Sequence, residues 1–203
     1  GGRAVHEATA AAGLAVRYLV LCAGWGLSGQ HVDLGAEGEM VEDIVGVNVE
    51  SVAVMAALYG ADMARLAVER NGGEDRPRMM IVSSVVATFP GLPEASLYGA
   101  TRAFALSLGR ALSVEMEPLG VSVTTVTPGA TNTNFAKSGG LTRAKVWDFP
   151  LAVMEANDVA EGAIIAMFRG QAEYVPGIPN LAMVASFIPL LPHRLALRFG
   201  AFS

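Results

Sequence analysis

Tyr98 and Arg102 stand four residues apart in a segment with helical spacing, so a phenol and a fixed cation share one helix face. A phenol that titrates near ~10 in water works at neutral pH only where something favours its phenolate, and an adjacent positive charge does that. The pair is therefore read as a proton-transfer device. Upstream, Arg78 to Ser84 is a short apolar β-prone run ending in two hydroxyls, which places Ser83 or Ser84 at the carboxyl end of a buried parallel strand.

The surrounding elements alternate. Ala4 to Ala12 reads as the end of an amphipathic helix that leads through Gly13 into a strand, Val16 to Cys22. Glu37 to about Ala67 carries helical spacing in Met40, Ile44, Val47, Ser51, Val54, Met55 and Leu58. Gly46 and Asn48 interrupt it, as in two helices or one with a bend. A turn at Asn71 to Pro77 precedes the strand Met79 to Val82. The helix Ser96 to about Met116 follows, with Phe104, Leu108 and Leu112 inward, and Pro118-Leu119-Gly120 stops it. Val121 to Val126 is a β-branched strand. The stretch Ala130 to Pro150 reads as a long loop exposing Phe135, Trp147 and Phe149, and loops of that length are usually functional or mobile. A helix capped by Asp158 runs to about Phe168, and Glu173-Tyr174 begins a short edge strand. Such alternation requires a parallel sheet with helices on both faces, and ligands bind beyond the carboxyl ends of its strands. Gly24, Ser84 and Pro128 each follow a strand end, so three loops point at one crevice.

These residues together resemble the active-site segment of the short-chain dehydrogenase/reductase family, whose serine, tyrosine and lysine catalyse hydride exchange with a nicotinamide cofactor. Leu21-Cys22-Ala23-Gly24 is similar to the family's Asn-Asn-Ala-Gly strand end, and Val47-Asn48-Val49 to its catalytic-asparagine helix. Pro128-Gly129-Ala130-Thr131-Asn132-Thr133 is similar to the loop that closes on the nicotinamide. The four motifs follow in the family's order from about Val16 to Phe135. The resemblance implies a Rossmann-like doubly wound α/β sheet and an NAD- or NADP-dependent interconversion of an alcohol and a carbonyl compound. It implies Tyr98 as acid/base, Ser84 holding the substrate oxygen, Asn48 fixing a water, and Arg102 favouring the phenolate and touching the ribose. Ser83 stays a second candidate, because the Ser84 to Tyr98 interval is one residue longer than the family's commonest. Cys22, Ala23, Gly24, Tyr98, Arg102, Pro128, Gly129, Thr131 and Thr133 are implied at the cofactor, with Thr133 and the Thr131 backbone on the carboxamide. No metal is implied.

Two departures accompany the match. Arg102 stands where the family has lysine, and a planar fork does not replace a compact ammonium one for one. The family's opening strand, glycine-rich turn and helix are not in the sequence, which reads as a chain entered partway through and lacking the first strands of the fold. Gly24-Trp25-Gly26-Leu27-Ser28-Gly29 matches the Gly-x-Gly-x-x-Gly pattern, but a dinucleotide fingerprint must open directly into a helix, and here helical periodicity resumes only near Glu37. This segment is read as a loop bordering substrate and nicotinamide ribose.

Composition sets the outer bounds. With 203 residues, 52% of them hydrophobic, the chain is one domain with ample core, residues 178 to 203 forming an apolar cap or tail. The net charge of -5 and the absence of a basic cluster argue against nucleic acid. The single cysteine, Cys22, permits no internal disulfide, fits a reducing, cytoplasmic setting, and reads as a small buried hydrophobe. Ile178 to Pro192 is the nearest approach to a membrane helix and is broken by Pro179, Pro189 and Pro192. It reads as a cap over the cleft or a subunit contact, with an interfacial membrane hairpin beside Arg194 and Arg198 as the other reading. The expected partners are a small carbonyl or alcohol substrate of apolar character and further copies of the chain, paired through the helices Glu37 to Ala67 and Ser96 to Met116. The competing function is a binding or assembly module of the same ancestry that does not hold cofactor.

Overall fold

The computed structural model describes residues 1–34, 38–69, 76–139 and 153–199. Its centre is a parallel sheet of β1 (Tyr18–Leu21), β2 (Arg78–Val82), β3 (Ser122–Val126) and β6 (Glu173–Tyr174), in the order β1-β2-β3-β6. Leu19 pairs with Met79, Met79 with Val123, and Val126 with Tyr174. The β-branched and apolar runs of β2 and β3 are covered on both faces, as parallel strands between helical layers must be. A Rossmann-like parallel α/β sheet that opens at the strand preceding the Gly24 loop is thus the architecture.

One layer consists of α4 (Ser51–Glu69) and α5 (Ser96–Glu115), which bury Val52, Ala56, Tyr59, Met63 and Ala105 on Leu19, Leu21, Met79, Ile81 and Val123. On the other face α7 (Ala156–Phe168) packs Ala163 and Met167 on Met80 and Val126. That second layer stops short of β1. Tyr18 and Val20 remain 40% and 49% exposed, and Phe168 reaches across, its ring 5.2 Å from that of Tyr18.

The helical stretch before β2 is one continuous rod with a defect. After the short α2 (His31–Leu34), α3 (Gly38–Val45) runs into a π turn at Gly46–Glu50 and on into α4. The irregularity read at Gly46 and Asn48 is this wide turn. The span Met40–Glu69 is long and apolar enough to cross a membrane, yet its apolar side lies on the sheet and on α5. The α1 helix (Gly2–Ala11) is strapped to α4 through His6 on Asp62 at 2.7 Å and Thr9 on Tyr59 at 2.9 Å.

Several local expectations change. The buried stripe of α5 is Tyr98, Gly99, Thr101, Arg102, Ala105, Leu106 and Gly109; Leu108 and Leu112 pack on the core at its margin as expected, and Phe104 is half-buried. Helix α7 starts after Glu155, so Asp158 sits in its first turn rather than capping it. The stretch after Pro128 is not all loop: β4 (Thr131–Asn132) pairs with β5 (Met154–Glu155), and α6 (Phe135–Ser138) half-buries Phe135. Trp147, Phe149 and most of the Asn71 to Pro77 turn lie outside the described residues. The tail forms α8 (Ile178–Ala182), a π turn at Met183–Phe187, α9 (Ile188–Leu190) and α10 (His193–Phe199).

Candidate active site

The carboxyl ends of β1, β2 and β3 are brought together by Arg102 of α5 and by the residues that follow β2. Arg102 donates from Nη1 to the carbonyl of Val82, the last residue of β2, at 3.3 Å. Its guanidinium also lies against the bare Cα of Gly24, just beyond β1, where a Cβ would collide with Nη2. From β2 to β3, Val85 N–H donates to Pro128 O at 2.9 Å, and the Ser84 hydroxyl faces the same carbonyl at 3.4 Å. The crevice read from Gly24, Ser84 and Pro128 is therefore one continuous place.

The two serines divide their duties. Ser83 Oγ donates to the carbonyl of Arg102 at 2.7 Å, a buried bond that pins α5 to the strand end. Ser84 caps a single 3-10 turn at Val85–Thr88 through a long 3.4 Å bond from Val86 N–H, so its hydroxyl is weakly committed. Ser84 is the one near enough for the Tyr98 phenol to feel.

Tyr98 lies in an apolar cluster beyond the strand ends, with Leu27, Leu34, Ile44, Leu92, Ala95 and Ala136. Phe135 of α6 stands over it, the ring centres 5.8 Å apart. Sequence reasoning missed this cover because α6 is four residues long and has no period to read. Burial pushes the Tyr98 phenol above its ordinary value; the charge of Arg102 and the hydroxyl of Ser84 pull the other way and are outweighed. Arg102 thus acts in the expected direction, toward the phenolate, while burial under the apolar cover is the larger effect and leaves Tyr98 a neutral phenol, a donor. Burial likewise lowers the Arg102 guanidinium from its usual value, against Tyr98 and Cys22, which raise it.

Arg102 is 4% exposed, with Cζ 5.3 Å from the Tyr98 ring centre, and its Nε and Nη2 are buried without any hydrogen-bond partner. Asn48, in the π turn, is at 0% exposure. Its Oδ1 accepts from Trp25 N–H at 2.8 Å and its Nδ2 donates to Trp25 O at 2.8 Å and to Thr101 Oγ1 at 3.0 Å. Both amide donors are thus spent on holding the loop after β1 to α5. Thr101, whose hydroxyl passes the chain of bonds to Tyr98 O at 2.9 Å, was not singled out from sequence; a β-branched hydroxyl between Tyr98 and Arg102 was the available signal.

Of the remaining residues, Cys22 and Ala23 are exposed, so the reading of Cys22 as a buried hydrophobe is overturned: it follows β1 at the open rim. Thr131 Oγ1 donates to Gly129 O at 3.1 Å and Thr133 is exposed, its Oγ1 accepting from Phe135 N–H at 3.2 Å. Gly129 has no room for a Cβ because buried Asn180 of α8 lies against it, and Leu197 of α10 packs on Gly91. The Gly24 to Gly29 segment continues as loop and meets only the one-turn α2, so it is not a helix-opening phosphate cradle. Gly139 packs on the backbone of Gly26, which brings the end of α6 down onto this loop.

A parallel sheet with a hydroxyl, a phenol and a cation gathered beyond its strand ends defines an α/β protein with a crevice of the dinucleotide-binding type. Residues 3–143 match the model of the short chain dehydrogenase family, and the chain belongs to that family. No curated protein sequence matches it. Among solved structures, a short-chain dehydrogenase from Sphingobium yanoikuyae in complex with NADPH is 27% identical with a TM-score of 0.67, over 84% of this chain and 61% of that one. The bulky-bulky ketone specific alcohol dehydrogenase from Comamonas testosteroni is 28% identical with a TM-score of 0.65, over 85% and 59%. A 3-ketoacyl-(acyl-carrier-protein) reductase from Brucella melitensis complexed with NADH is 26% identical with a TM-score of 0.67, over 86% and 71%. The chain spans less than two thirds of the first two relatives.

Proposed function

We propose that this chain acts in an NAD(P)-dependent oxidoreductase of the short-chain type, interconverting an alcohol and a ketone or aldehyde. The observation that carries the reading is the gathering of Ser84, Tyr98 and Arg102 beyond β1, β2 and β3. The relatives complexed with NADPH and NADH support NAD or NADP as cofactor. The residues present fit the nicotinamide end: exposed Cys22 and Ala23, Gly24, and the loop Pro128 to Thr133 with its outward Thr133. Among the described residues no strand is followed by a glycine turn opening into a helix of two turns, so no pyrophosphate seat is assigned.

The bound nicotinamide would supply or accept the hydride. The protein's part is proton and charge management. Tyr98, neutral when buried, donates its Oη proton to the carbonyl oxygen on reduction and takes it back on oxidation. Ser84 donates a hydrogen bond to the same oxygen as charge grows there. Arg102 replaces the family's lysine beside the phenolate that Tyr98 becomes, and Asn48 keeps the Trp25 loop in register with α5. Leu27, Leu92 and Phe135 make the wall apolar. The whole of 1–203 is read as one cytoplasmic domain with the tail from Ile178 as a cap, supported by Asn180 on Gly129. Exposed Val68 and Val114 on α4 and α5 suit a second copy of the chain.

A second reading, a binding module that does not turn over, is favoured by Arg102 in place of the family's lysine, with its Nε and Nη2 unpartnered. Oxidation of NADPH and of NADH by the purified protein with aryl ketones, followed at neutral pH, decides between them. Turnover lost in Tyr98→Phe supports the enzyme. No turnover and no cofactor binding, in the native protein and in Arg102→Lys alike, leaves the binding module.

A further inference from the structure

A surface helix ordinarily turns polar residues to water, and the tail after β6 does not. From Ile178 to Leu190, α8, the π turn and α9 form one continuous rod. Its inner side is held: buried Asn180 donates to Pro176 O at 3.0 Å and lies against Gly129, and Ile188 is buried. On its outer side Ile178 and Leu190 are 83% and 82% exposed and Leu181 is 48% exposed. Ser186 is the one polar side chain among the exposed positions of the rod, and none carries a charge. Single exposed apolar residues are ordinary on a protein, but a helix face made of them marks an interaction surface.

Charge marks what covers it. From Tyr174 to Ser203 the sequence holds no Asp or Glu, in a chain of net charge -5, and its two arginines are Arg194 and Arg198. Both are exposed and stand four residues apart on one face of α10. A second copy would bring to this face the same two arginines and no carboxylate of the tail, whereas an anionic lipid surface supplies both the apolar layer and the counter-charge. At about 1.5 Å per residue the rod is about 20 Å long, short of the ~30 Å hydrocarbon core, so it suits lying along a bilayer and not crossing it.

We propose that the tail from Ile178 to Arg198 docks this protein on an anionic membrane surface, with Ile178, Leu181 and Leu190 at the acyl boundary and Arg194 and Arg198 among the phosphate headgroups. Docking leaves the cap in place, because Asn180 on Gly129 and Leu197 on Gly91 hold the tail from its other side. The crevice then lies about one helix diameter, about 10 Å, from the lipid, and an apolar substrate reaches it from the bilayer. That route rests on the oxidoreductase reading; the docking does not.

The test is flotation of the whole protein with vesicles of phosphatidylcholine alone and of phosphatidylcholine mixed with phosphatidylglycerol. Binding to the mixed vesicles is expected to be about 30-fold tighter, which follows from about 1 kcal/mol per arginine near the surface, and to weaken as salt is raised. Arg194→Gln with Arg198→Gln removes that preference. Ile178→Glu with Leu190→Glu, at positions open to water, abolishes binding to both vesicles. Circular dichroism on each variant separates lost binding from lost fold. Absence of flotation with either vesicle, equal flotation with both, or binding that survives the double glutamate variant in a folded protein each overturns the proposal. So does a dimer of the native chain in sedimentation that the double glutamate variant dissolves, since a second copy would then own the face. Turnover in solution without flotation would uphold the enzyme and remove the docking; flotation without any turnover would do the reverse.

Discussion

Asn48 and Arg102 are both buried and both polar, and they have opposite hydrogen-bond accounts. Asn48 makes three bonds and both of its amide donors are used. Arg102 donates Nη1 to Val82 O and interacts with the Tyr98 phenol, and keeps Nε and Nη2 without partners. A buried polar group whose capacity is filled by its own chain is part of the frame. One left open at a cost in solvation is held for something that is not the chain.

Four measurements break or sharpen that contrast. The largest effect belongs to neither residue but to the Tyr98 phenol: Tyr98→Phe should lower kcat by about 10³-fold or more, within the range for an acid/base group, and leave the unfolding midpoint nearly unchanged. Next, Asn48→Ala should cost about 2 to 4 kcal/mol in urea unfolding, because Trp25 N–H and Trp25 O lose their partner and Thr101 Oγ1 loses the donor it accepts from. A loss under about 0.5 kcal/mol would mean the Trp25 loop is held by something else. Arg102→Met should move stability the other way, up by about 1 to 2 kcal/mol, since an unpaired buried charge gives way to an apolar chain of similar length. Destabilisation there would show that the guanidinium finds partners in solution.

The smallest effect is on pH dependence. Burial raises the folded Tyr98 above the ordinary tyrosine value of 10.0. Between the two values the unfolded chain loses the proton that the native chain keeps, so stability falls as pH rises past about 10, by up to about 1.4 kcal/mol per pH unit. The slope should shrink by that amount in Tyr98→Phe, measured by urea unfolding between pH 9 and pH 11. An unchanged slope would place the phenol in water rather than under Phe135.

How much of this was legible in the sequence follows the reach of each signal. The strands, α5 and the defect at Gly46 and Asn48 were readable because periodicity and its interruption are local. The meeting of Gly24, Ser84 and Pro128 was readable because a parallel sheet puts its carboxyl ends on one side. The proton state of Tyr98 was not, since it depends on Leu27 and Phe135 from two aperiodic segments. Nor was the open edge of Arg102, because sequence gives the identity of a donor and not where its partners go. The inward stripe of α5 was misplaced onto Phe104 for a related reason: size and apolarity pointed there, whereas the helix turns Thr101 and Arg102 toward the site.

The π turn at Gly46–Glu50 also has a bearing on how this helix tolerates change in length. Such a turn holds one residue more than an ordinary one, so it acts as a phase shifter between the two rods it joins. Deleting a single residue inside it would restore a regular helix and swing α3 by about 100° about the common axis relative to α4. Ile44 would then leave its buried place beside Tyr98's cluster, and Asn48 would no longer reach Trp25 and Thr101 together. Elsewhere on this rod a one-residue deletion is an injury; here it would be a repair of the helix that dismantles the crevice.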